Sequence, residues 1–151
     1  MVKSHKGWYK IVNADKFIHP VDETMQSTKE TELGTFIMYK SALERRAFAY
    51  ADLNPKVRYF SIEPFAIKYV KPTDNQLHRY YIDLFIEFCT NERFMIEIKP
   101  YSQTVLPSKK CKNYDYEMET YLINQSKWKS ANEFAKQKNM KFIILTEREL
   151  K

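Results

Sequence analysis

Asp83, Glu97 and Lys99 are the residues whose types and spacing can do chemistry together. They lie on two segments, Tyr80 to Phe88 and Phe94 to Ile98, patterned as strands around Thr90-Asn91-Glu92. With the turn centred on Thr90, Asp83 faces Glu97, Ile82 faces Ile98 and Leu84 faces Ile96. Side chains alternate across a strand, so Ile82, Leu84, Ile86, Phe94, Ile96 and Ile98 form one apolar face. The other face carries Asp83, Glu97 and Lys99. Opposed side chains on neighbouring strands have Cβ atoms about 5 Å apart. Two carboxylates so placed repel unless one is protonated or a cation sits between them. Oxygen ligands at this spacing suit a hard divalent ion, magnesium or manganese. Such an ion polarises a phosphate and activates a water, and a lysine alongside orients that water or offsets the developing charge. A plainer reading stays open: Lys99 can simply neutralise Glu97 on a solvent-facing hairpin, and a one-residue register slip would part the acids.

The elements that must position these residues are legible around them. Ser41-Ala42-Leu43-Glu44 has the form of a capping box, opening a helix with Leu43, Ala47 and Tyr50 on one stripe and ending at Asp52, Asn54 and Pro55. Val57 to Ile62 and Phe65 to Val70 read as strands broken by Pro64, followed by a turn at Pro72, Asp74 and Asn75. Pro100 to Asn113 is an irregular basic loop. A helical pattern runs from Tyr116 to Asn139, with Met118, Tyr121, Leu122, Gln125 and Trp128 on one face; Ser126 or Ser130 can cap a second helix within it. Lys141 to Thr146 is a last short strand, and Thr35 to Tyr39 a short one behind Gly34. Residues 1–33 lack periodicity, with a polar loop or arm at Asp22 to Thr31, and are expected to be an N-terminal arm or extension. The rest, 34–151, is expected to be one mixed α/β domain with a sheet flanked by helices.

Composition narrows the classes. The chain has 151 residues, 44% hydrophobic and 29% charged, which fits one globular domain. Only two glycines occur, which excludes a glycine-rich phosphate loop or dinucleotide fingerprint and with them a small organic cofactor held that way. No apolar run approaches the roughly 20 residues that span a bilayer. The N-terminus, with Lys3, Lys6 and Lys10 around Trp8 and Tyr9, lacks a signal-peptide core, so no membrane association and an intracellular location are expected. Cys89 and Cys111 are expected to be reduced thiols, and His5, His19 and His78 are scattered. The net charge of +6 lies mostly in residues 108–141, where eight Lys face four acids, which makes an anionic partner plausible.

Asp83 followed after a short hairpin by Glu97-Ile98-Lys99 resembles the motif of the PD-(D/E)xK nucleases, and Glu44 matches the acid many of them carry on the first core helix. The strings Tyr39 to Glu44, His78 to Asp83 and Ile96-Glu97-Ile98-Lys99-Pro100-Tyr101-Ser102-Gln103-Thr104 look closer to the head-completion nucleases of T-even-type tailed phages, which are similar to the endonuclease subunit of Tn7-type transposases. The resemblance covers Tyr39 to Thr146. It implies a restriction-endonuclease-like α/β/α core with a central mixed sheet flanked by helices. Ile82 stands before the motif aspartate where the motif's name has proline.

The same resemblance implies roles. Asp83 and Glu97 would hold Mg2+, or Mn2+, with the carbonyl of Ile98, and Lys99 would position the attacking water. Glu44 would complete the metal site from the helix, or serve only the capping box, or both. Gln103 would contact the phosphate or water, or fix its loop. His78 would touch a phosphate, or be a hydrogen-bonded loop histidine. Lys109, Lys110 and Lys112 would hold the DNA backbone, with Lys127, Lys129, Lys136 and Lys138 extending that surface without sequence readout. The implied function is a metal-dependent DNA endonuclease acting on packaged phage DNA ends during head completion, before tail joining. DNA and portal or neck proteins would be its partners, in the host cytoplasm or at the portal vertex of the virion. The alternatives are a structural head or neck factor with little nuclease activity, or a transposase or junction-resolving endonuclease of the same fold.

Overall fold

The computed structural model describes residues 5–20 and 26–150. Its centre is a four-stranded mixed sheet in the order β4-β7-β8-β9, formed by Val57–Ile62, Leu84–Phe88, Arg93–Ile98 and Lys141–Leu145. β4, β7 and β8 are antiparallel, and β9 runs parallel to β8. The β7–β8 register pairs Leu84 with Ile96, Phe85 with Met95, Ile86 with Phe94 and Glu87 with Arg93, as the turn at Thr90 predicts. Asn91 adopts φ 74°, a left-handed conformation that asparagine tolerates, and so closes that turn.

Alternation along these strands buries both faces of the sheet. Phe60, Ile62, Leu84, Ile86, Ile96 and Ile98 pack with Ala47, Phe48 and Ala51 of helix α1, Ala42–Leu53. On the other face Met95, Phe85, Phe142 and Ile144 pack with Trp128, Ala131 and Ala135 of helix α2, Tyr114–Gln137. The result is the α/β/α layering that the sequence leads one to expect. A hairpin of β5, Ala66–Val70, and β6, Leu77–Tyr81, lies on the α2 side and adds Ile67, Tyr69 and Tyr80 to that cluster.

Three expectations are corrected. The segment Tyr80 to Phe88 is not one strand: β6 ends at Tyr81, β7 starts at Leu84, and the two belong to different sheets. The Ile82–Ile98 pairing therefore does not form, and Ile82 packs in the α2 cluster while Leu84 and Ile86 pack in the α1 cluster. The face carrying Glu97 is not a solvent face, because α2 covers it. Finally, α2 is a single helix of 24 residues with Ser126 and Ser130 in its interior. Its buried stripe is Asn124, Trp128, Ala131 and Ala135, and Leu122 is exposed.

The N-terminal residues contribute strands despite their lack of periodicity. β1, Gly7–Lys10, and β2, Thr28–Thr31, flank β3, Gly34–Tyr39, in an antiparallel sheet. Gly34 sits in the β2–β3 turn at φ 130°, where an L side chain would be strained. Residues 22–25 of the expected polar loop lie outside the described residues. Asp52, fully buried at the end of α1, fastens this segment: it accepts from the Tyr9 hydroxyl at 2.7 Å and from the backbone N–H groups of Val12 and Asn13 at 2.8 Å each. Among the described residues no helix is long and apolar enough to cross a membrane.

Candidate active site

Asp83 sits in the break between β6 and β7. Freed from a ladder, its side chain turns toward β8, and Oδ2 accepts from the backbone N–H of Ile98 at 2.8 Å. That bond brings it beside Glu97, whose neighbours on β8 are core residues. Glu97 is itself buried at 4% exposure. The two carboxyl groups lie within each other's field. Burial, and next the charge of Glu97, push the Asp83 carboxyl well above the usual carboxylate range.

Glu97 has two further partners. The hydroxyl of Tyr80, buried on β6, donates to Oε2. Nζ of Lys99 lies 3.9 Å from Oε1, so it stands at the same carboxylate from the exposed side. Burial and the Glu97 carboxylate together raise the Tyr80 hydroxyl far above the ordinary tyrosine range, which keeps it a donor.

Glu44 arrives from the first turn of α1. The Ser41 hydroxyl accepts from the Glu44 N–H at 3.1 Å, and Glu44 Oε2 accepts from the N–H of Lys40 at 2.7 Å. The cap is thus formed, with its return bond made one residue before the N-cap. Glu44 also stands within the field of Asp83. Burial first, with Asp83 among the further causes, raises its carboxyl, against the bond from Lys40. Glu63 lies nearby, bonded by the Ser27 hydroxyl at 2.7 Å.

The remaining candidate residues are more dispersed. Gln103 is exposed in a short 3₁₀ turn, Tyr101–Gln103, and lines a recess with Glu117, Tyr121 and Asn124 of α2. Lys109, Lys110 and Lys112 are exposed on the loop before α2. His78 is on β6, with Nε2 2.7 Å from Asp74 Oδ2, so it is a hydrogen-bonded strand histidine. Sequence reasoning passed over Tyr80 and gave Lys127 no distinct place. Lys127 reaches from α2 over the rings of Tyr69 and Tyr80, within the field of Lys99, Glu97 and Asp83. Aryl and lysine residues in ordinary strand and helix patterns carry no signal of this placement.

The donor set is chemically suited to a hard cation. A buried and a half-buried carboxylate, Glu97 and Asp83, fixed by tyrosine and main-chain bonds, have their mutual repulsion relieved by a divalent ion as well as by a proton. Among the described residues no group of three His, Cys, Asp or Glu side chains is close enough to hold a metal. Further ligands would therefore come from backbone, water or a bound phosphate, or from movement of Glu44.

Residues 54–147 match the family described as TnsA-like endonuclease N terminal. The chain is also 32% identical over 118 residues to the head completion nuclease of Enterobacteria phage T4, covering 74% of this chain and 79% of that protein. The family match runs from the end of α1 past β9 and includes Asp83, Glu97 and Lys99, whereas Glu44 precedes it.

Proposed function

Because this chain belongs to the TnsA-like endonuclease family, we propose that it is a metal-dependent endodeoxyribonuclease that hydrolyses phosphodiester bonds of packaged phage DNA ends during head completion. The observation carrying this reading is the half-buried Asp83, tied to the Ile98 N–H beside the buried Glu97, with Lys99 at the exposed edge. The named T4 relative, similar over most of both chains, supports the head-completion role. Portal or neck proteins are the partners that role requires, with the protein acting in the host cytoplasm or at the portal vertex. The nuclease domain spans 34–151, and residues 1–33 are an extension, whose Tyr9, Val12 and Asn13 are fastened to it by Asp52.

Asp83 and Glu97, with the Ile98 carbonyl, would hold Mg2+ or Mn2+, and Glu44 would join them from α1. A divalent ion there supplies Lewis acidity to the phosphate and a more acidic water. Lys99 orients the attacking water through its ammonium and offsets charge developing on the phosphate. Tyr80 fixes one oxygen of Glu97 and leaves the other facing Lys99. Gln103, four residues beyond Lys99, contacts the phosphate or water from its loop. Lys109, Lys110 and Lys112 hold flanking backbone phosphates, which gives salt-dependent affinity without base readout.

Purified protein incubated with plasmid, linear duplex and branched DNA, in magnesium, manganese or chelator, tests this reading. Cutting in either metal and none in chelator is expected. Absence of cutting on every substrate would favour a structural head factor.

A further inference from the structure

Lys127 differs from the other lysines of α2. Lys129 and Lys136, and Lys138 just after the helix, are exposed, whereas Lys127 is half-buried and lies over the rings of Tyr69 and Tyr80. Its Nζ lies 5.7 Å from the centre of the Tyr69 ring and 5.6 Å from that of Tyr80, the same Tyr80 whose hydroxyl is bonded to Glu97. Two aromatic faces attract the ammonium and limit where it can point. Among the described residues no carboxylate lies within ion-pair distance of it. Lys99 and Lys127 approach Glu97 from two sides: Nζ of Lys99 is 3.9 Å from Oε1, and Lys127 stands over the ring of Tyr80, whose hydroxyl is bonded to Oε2.

Two ammonium groups placed on either side of the Tyr80–Glu97 contact repel each other, and an added anion relieves this. Glu97 is already committed to Tyr80 and Lys99, and Asp83 to the Ile98 N–H. A diester phosphate has the charge and the acceptor oxygens to fill the role. We propose that Lys127 is a DNA-binding residue of this site, holding a backbone phosphate beside the bond that is cut, while Lys99 serves the reacting phosphate. This rests on the nuclease reading above.

The test is duplex binding in chelator across a series of salt concentrations, for the parent, Lys127→Met, Lys127→Arg and the exposed control Lys56→Met, just before β4 at the end away from Asp83. One phosphate contact contributes about 0.9 to the slope of log affinity against log salt. Lys127→Met is expected to lower the slope by about one and low-salt affinity by roughly tenfold, with Lys127→Arg close to the parent. Should Lys127→Met fail to fold, Lys127→Gln carries the same comparison. An unchanged slope in a folded Lys127 variant, or a loss in Lys127→Arg equal to that in Lys127→Met, overturns the inference. If the parent cuts DNA while that slope is unchanged, this inference alone fails; if the parent neither binds nor cuts, the nuclease reading fails with it.

Discussion

Asp83 accepts a hydrogen bond from the backbone N–H of Ile98 at 2.8 Å, and so its carboxyl is tied to the strand that bears Glu97. The two acids are held together by main chain rather than by a flexible contact, and neither can swing away to escape the other. Like charges kept in place by the fold in this way are a cost to stability that a bound cation or proton must offset.

A pH dependence of stability follows. The carboxyl of Asp83 takes its proton more tightly in the folded protein than in the unfolded chain. Its stabilising contribution is therefore complete below the ordinary carboxylate range, about pH 4, and is lost as pH rises through the higher folded value. In chelator, urea unfolding midpoints should fall from acid toward neutral pH, and Asp83→Asn should flatten that fall. Added magnesium should restore stability mainly at the higher pH, where Asp83 is ionised. A parent curve that matches Asp83→Asn at every pH would mean that the Asp83 proton does not contribute.

Tyr80→Phe deletes the hydroxyl that donates to the buried Glu97. An unsatisfied buried acceptor costs about 1–3 kcal/mol, so a loss of that size is expected in urea unfolding without metal. Magnesium should narrow the deficit, since the freed oxygen becomes available to the ion. A deficit unchanged by magnesium would mean that Tyr80 supports packing alone.

Asp52→Ala removes the acceptor for Tyr9, Val12 and Asn13. Stability should drop by about 2–3 kcal/mol, and limited proteolysis should cut within residues 5–20 before the central sheet. Equal resistance of this segment in parent and variant would show that Asp52 does not fasten it.

Lys99→Ala separates chemistry from affinity. Its ammonium lies 3.9 Å from Glu97, so it belongs with the reacting group rather than with a remote phosphate. Cleavage should fall by at least about a hundredfold, the scale for removing one charge-stabilising group, while duplex binding in chelator stays within about threefold. Parallel loss of binding and cleavage would make Lys99 a phosphate anchor.

The parts of the fold legible in the sequence are those where pattern and turn chemistry agree. Alternation on both sides of Thr90 sets the register of Leu84 with Ile96, and Ser41 caps α1 as its residue type suggests. The break at Ile82-Asp83 is hidden because Tyr80, Ile82, Leu84 and Ile86 keep a period of two across it, although the chain changes sheets there. Strands β1 and β2 are four residues each and largely polar on their exposed sides, too short for periodicity to show. Asp52, expected to end α1, instead lies within it on the buried face four residues after Phe48, while Tyr50, expected on that face, is exposed; a polar residue near a helix end reads as a stop signal whichever way it points. Lys127 and Tyr80 depend on how α2 and the β5–β6 hairpin pack over the sheet, which one sequence does not encode locally.

The claim that Asp83 and Glu97 form a metal-dependent nuclease centre is tested most directly by plasmid cleavage. Supercoiled DNA is incubated with the parent, Asp83→Ala and Glu97→Ala, in magnesium and in chelator. The parent is expected to nick or linearise the plasmid in magnesium only, and each variant to be slower by at least about a hundredfold. Cleavage by the parent in chelator, or by either variant at the parent's rate, contradicts it.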